Sequence, residues 1–169
     1  MKDQEEILQK AYQLAFDFER RYTGCSQTVL AALREVFTEI SAEVFRAGSA
    51  LAGGVARQGE SCGALIGAIM AVSAVAGRDS LENMEQYQQA MEPAMALHRR
   101  FREEIGQTIC AEIQKIKFGR AYKLSLPEER AAFGDVGCRN PKGCPVVCGT
   151  AARLAAEAIF EARGAIARS

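Results

Sequence analysis

The chain between residues 59 and 77 reads Gly59-Glu60-Ser61-Cys62-Gly63-Ala64-Leu65-Ile66-Gly67-Ala68-Ile69-Met70-Ala71-Val72-Ser73-Ala74-Val75-Ala76-Gly77. It is the most apolar part of the sequence, with no charge between Glu60 and Arg78. Gly63, Ala64, Gly67, Ala68, Ala71 and Ala74 recur at helical spacing, so the expected element is a helix with small residues over much of its surface. Such a helix lets neighbouring backbones approach closely, which predicts a place in the middle of a helical bundle. Cys62 falls in its first turn, where unpaired N–H groups and the helix dipole favour negative charge, so a thiolate there is expected to be stabilised.

Working outward, the same periodicity recurs. Ile7, Leu8, Ala11, Leu14, Ala15, Phe18 and Tyr22 predict a first helix closed by Gly24. Cys25 follows, and Ser26 is expected to open a helix burying Val29, Leu30, Leu33, Val36 and Phe37. Ser41 begins a shorter helix that Gly53-Gly54 stop. Residues 53–59 form a glycine-containing turn expected to lie against Cys62; the Walker pattern and its lysine are missing from it. Ser80 is expected to cap a long helix from Leu81 to about Gly106, kinked or split at Pro93. Its inner stripe reads as Met84, Tyr87, Met91, Met95, His98, Phe101 and Ile105. Ser125 to Glu128 reads as a capping box opening a short helix over 127–133, and Cys144-Pro145 opens a last helix to about Ala162. No strand, repeat or linker is needed. The fold expected is all-α, one domain over residues 1–169, a bundle of about six to seven helices.

Composition narrows the partners. Lys plus Arg and Asp plus Glu both number 21, which leaves no basic excess for nucleic acid. The acidic N-terminus has no apolar signal core, and the uncharged central run is short of the about 20 residues a membrane span needs. A cytoplasmic protein with no membrane partner is the expectation. Six cysteines in that setting point to metal or redox chemistry before structural disulfides.

Cys25, Cys62 and Cys144 each stand at or beside a helix start, and Cys110 stands near one. Four thiolates brought together would suit iron or zinc, although no local CxxC pairing is present. Buried, inert cysteines are the plainer alternative. Cys148, four residues after Cys144 on one face, is an alternative ligand, a resolving thiol or a small buried hydrophobe. Cys138, in a loop, is a spare ligand or a chance residue. Covalent haem is excluded by the lack of CxxCH. His98 reads as a core residue, Met84, Met91 and Met95 as core filling, and Glu60 as a solvated first-turn acid near Cys62. No carboxylate pair or substrate pocket is argued, so enzyme status stays open.

Cys62-Gly63-Ala64-Leu65-Ile66-Gly67 resembles the CGAxxG motif of the redox-active proteins named for their pattern C, GCAxxG, C, C. Gly24-Cys25-Ser26-Gln27 resembles that family's first cysteine segment, Cys110 with Phe118-Gly119 its third, and Cys144-Pro145 with Val147 its fourth. The family is similar to the non-haem part of split-Soret cytochromes c. The resemblance implies a helical homodimer whose Cys25, Cys62, Cys110 and Cys144 hold an iron–sulfur cluster, 2Fe–2S being the form suggested, for electron transfer or redox sensing with a partner protein. It implies no haem here. A metal-free thiol–disulfide oxidoreductase and a structural zinc module remain the alternatives.

Overall fold

The computed structural model describes residues 2–166, and among them no strand is formed. Eight α-helices follow one another: α1 Lys2–Tyr22, α2 Cys25–Arg34, α3 Ala42–Ala47, α4 Gly63–Ala76, α5 Met84–Ile105, α6 Cys110–Phe118, α7 Pro127–Asp135 and α8 Cys144–Ile166. A single 3-10 turn, Ser49–Leu51, follows α3. The all-α expectation holds, with one helix more than the sequence led us to count because residues 110–118 complete their own element.

The core is organised by α4 and α8 together. The C-terminal helix packs against α1, α2, α4 and α5, while α4 packs against α2, α5 and α8. Alanines supply much of the contact: Ala64, Ala68 and Ala71 of α4 and Ala151, Ala152 and Ala155 of α8 are fully buried. Small side chains on both helices bring the axes close, and larger ones such as Leu30, Leu33, Leu154 and Ile159 fill the space between them. The outer side of α4 is not covered: Ile66, Ile69, Met70 and Ala74 form an open groove with Val44 and Ala47 of α3. The helix is therefore central on one side only. Arg153 pairs with Glu104 and Glu157, and Arg100 with Glu157, which ties α5 to α8 at the surface.

Several local expectations are corrected. Ser26 does not cap α2; Gly24, in a left-handed conformation, is the N-cap, and the fully buried Ser26 hydroxyl donates to Gly48 O at 2.8 Å. Asn83 rather than Ser80 caps α5, accepting from Gln86 N at 3.0 Å. Leu126 stands at the N-cap of α7, so the box read at Ser125 is not formed, though Pro127 does open the helix. Pro93 is carried inside a continuous α5.

The largest correction concerns which face of α5 is inside. Pro93, Leu97 and Phe101 are buried, at successive steps of four, whereas Met84, Tyr87, Met91 and Met95 are exposed, and so is His98. The small residues Ala90 and Ala94 sit beside that buried row and let α5 lie close to its neighbours. Bulk misled the reading of the stripe.

Candidate functional site

Two loops set the first pair of cysteines. Residues 59–62 run antiparallel to residues 108–111, with Cys62 N donating to Thr108 O at 2.8 Å and Cys110 N to Glu60 O at 2.7 Å. Ala111 N donates to Gly59 O at 3.0 Å. This short bridge lays the starts of α4 and α6 side by side, so Cys62 and Cys110 become neighbours. Cys25 is brought in by α2, whose backbone touches α4. A Cβ at Gly63 would stand 2.6 Å from the Cys25 sulfur and 2.7 Å from Leu51 O, so only glycine leaves the sulfur its place.

Cys144 arrives at the start of α8, its N–H donating to Cys138 O at 2.8 Å. Cys138 is itself buried, and its backbone closes the loop in front of α8. Cys148 lies one turn on, fully buried. The half-buried Lys117, whose ammonium donates to Lys142 O at 3.2 Å, faces Cys144; burial lowers its pKa.

The segment in front of the site is strained. Gly53, Gly54, Val55, Ala56 and Arg57 all have positive φ, between 50° and 70°, and so form a left-handed turn. A left-handed conformation costs a non-glycine residue about 1–2 kcal/mol, and a β-branched valine is the least suited to it. Such strain collects at functional sites. Here the turn aims the Gly53 N–H at the Cys25 sulfur and seats Gly54 against the Cys110 side chain. The expectation that residues 53–59 approach the cysteine site closely is met, while the three non-glycine residues in left-handed geometry were unforeseen.

Charge behaves differently from the sequence expectation. The Ala64 and Leu65 N–H groups face the Cys62 sulfur without closing a full capping bond, and they do favour the thiolate. Burial outweighs them, and with the neighbouring Cys110 it pushes the Cys62 thiol up to about 12. Burial also raises Cys25, Cys144 and Cys148 well above the ordinary thiol value, and Cys110 less far. Cys25 and Cys144 keep some accessible surface, yet the protein packed around each sulfur removes most of its solvation. The sulfurs reinforce one another: Cys62 and Cys110 raise Cys25, and Cys25 and Cys62 raise Cys144. Lys117 faces Cys144, yet burial still keeps these thiols protonated at neutral pH.

The residue missed by sequence reasoning is Glu19. It is 5% exposed, and its carboxylate accepts from Thr28 Oγ1 at 2.9 Å. The same hydroxyl lies 3.6 Å from the Cys148 sulfur and 3.1 Å from Cys25 O. Burial raises the Glu19 pKa to about 7, against hydrogen bonds from Thr28 and Cys148 and the charge of Arg139. Its signal was present: Glu19 stands four and eight residues after Ala15 and Ala11, both fully buried. Between about 4.5 and 7 the folded state of the metal-free protein holds a proton that the unfolded chain releases. Stability contributed by this group is therefore lost as pH rises through that window, by on the order of 3 kcal/mol. Glu19→Gln should remove the dependence, so urea midpoints of variant and wild type should draw apart between pH 5 and 8 in favour of the variant. Parallel profiles would refute the assignment.

Among the described residues no three Cys, His, Asp or Glu side chains close on one point as ligands of a single ion. The chemistry of the set nevertheless fits a sulfur-bound iron centre: soft donors, N–H groups turned to sulfur, and a glycine cradle around Cys25. No described helix is long and apolar enough to cross a membrane.

An all-α bundle that gathers cysteines from four helix starts into its interior defines a thiol-centred protein. The chain belongs to the family described as "Putative redox-active protein (C_GCAxxG_C_C)", whose model matches residues 23–158 and takes in all six cysteines. No curated protein and no solved structure matched the chain.

Proposed function

We propose that the protein carries or senses electrons through an iron–sulfur cluster held by Cys25, Cys62, Cys110 and Cys144. The observation that supports this most is that each of those thiols is raised by burial and all four are linked electrostatically, Cys62 and Cys110 acting on Cys25, Cys110 on Cys62, and Cys25 and Cys62 on Cys144. Burial raises these thiols, and bound iron would stabilise their anionic form, releasing protons as it binds. When bound, the cluster would supply reversible one-electron chemistry.

The chain's own residues do the rest. Gly53 N–H, Ala64 N–H and Leu65 N–H face sulfurs and favour their negative charge, while the packed alanines of α4 and α8 keep water out. Cys148, engaged with Thr28 and Glu19, stands outside the ligand set. The test is the visible spectrum of anaerobically purified protein. A brown protein that bleaches on reduction and recovers on oxidation is expected. Colourless, metal-free protein whose thiols disappear in pairs on oxidation would replace this reading with thiol–disulfide exchange.

A further inference from the structure

Gln114 is a buried polar residue that neither the cysteine pattern nor the family motif includes. It lies one turn after Cys110 on the same face of α6, and it is 2% exposed. Its Nε2 donates to the Cys110 sulfur at 3.3 Å, and its Oε1 accepts from Tyr122 N at 2.7 Å. A backbone N–H only donates, so Tyr122 fixes which end of the amide carries oxygen and turns the NH2 group to the sulfur. Tyr122 is held in turn by the Phe133 ring, 5.2 Å away between centroids.

The donors that face the Cys25 and Cys62 sulfurs are main-chain groups: Gly53 at Cys25, and Ala64 and Leu65 at Cys62. At Cys110 the first N–H groups of the helix are already spent on Glu60 O and Gly59 O in the bridge to residues 59–62. A side chain takes over the donation there. That makes it a contact substitution can change without moving the backbone.

We propose that Gln114 sets the reduction potential of the redox centre by donating its amide N–H to the Cys110 sulfur. The inference rests on Cys110 being one of the cluster's sulfurs. An N–H directed at sulfur stabilises the more negative, reduced state, so removing it lowers the potential. The competing role is mechanical, in which Gln114 only anchors the loop through Tyr122.

Potentiometric titration of iron-loaded, anaerobic protein separates the two. Gln114→Met, close in volume but with no donor, should shift the potential to more negative values at unchanged iron per chain; Gln114→Leu serves if the methionine variant folds poorly. Phe133→Ala loosens the same loop by removing the ring against Tyr122 while Gln114 keeps its amide donor. It should lower the melting temperature and leave the potential where it was. Equal potentials in the Gln114 variants and the wild type, or an equal shift in Phe133→Ala, would overturn the role of Gln114 while leaving the cluster standing. Wild-type protein that holds no iron would instead overturn the cluster reading, and this one with it.

Discussion

Cys62→Ser should give a folded protein that has lost its visible absorption. Serine has the shape of cysteine, but its oxygen is a smaller, hard donor that remains protonated, so it is a poor replacement for a thiolate toward iron. Cys62 is also the residue through which the bridge between residues 59–62 and 108–111 is read into the site, since its N–H bonds Thr108 O at 2.8 Å. That backbone bond survives the substitution, so the helices should stay in place and circular dichroism should be unchanged. Cys138→Ser is the control. Cys138 contributes its carbonyl to the Cys144 N–H, and serine keeps that carbonyl, so the colour should persist. A coloured Cys62→Ser beside a colourless Cys138→Ser would mean that the ligand set is wrong.

Gly67→Ala should damage fold and site together. A Cβ there would stand 2.5 Å from Ser26 O and 3.1 Å from Ser26 Cα, contacts with backbone that has no rotamer to yield. Helix propensity alone favours alanine by about 1 kcal/mol, while overpacking a tight contact costs about 1–3 kcal/mol and here meets main chain. The collision should win by about 2 kcal/mol, which for a chain of this length lowers the melting temperature by roughly 4–8 °C. Pushing α2 away from α4 also moves Cys25, the residue before Ser26, away from Cys62. Iron content should therefore fall with stability. A melting temperature equal to or above that of the wild type would show that the two helices are not in the close contact described.

These two substitutions also mark how far the sequence can be read. The spacing of Gly63 and Gly67 announces close packing, and the structure adds what is being approached: the Cys25 sulfur in one case and the Ser26 backbone in the other. The placement of cysteines at helix starts was legible, because caps and glycine breaks are local signals. The charge state was not. It depends on how much water the assembled bundle removes, and that burial outweighs the N–H groups which the local pattern makes visible.

Tertiary context accounts for the other departures as well. On α5 a row of methionines looked like a core face, while the buried row is Pro93, Leu97 and Phe101. On α1 a glutamate disappears among charged residues unless its spacing from Ala11 and Ala15 is followed through the charge. Gln114 is four residues from Cys110, yet its orientation is set by Tyr122, beyond the end of the helix. The left-handed run over Val55, Ala56 and Arg57 has no signal of its own, since valine and alanine give no hint of positive φ.

The central claim is that Cys25, Cys62, Cys110 and Cys144 hold an iron–sulfur cluster. Iron and acid-labile sulfide, determined per chain on protein purified without oxygen, test it most directly. The account predicts both elements in equal amounts in the wild type, and neither in Cys62→Ser. Stoichiometric zinc without sulfide, or no metal in the anaerobic wild-type protein, would contradict it.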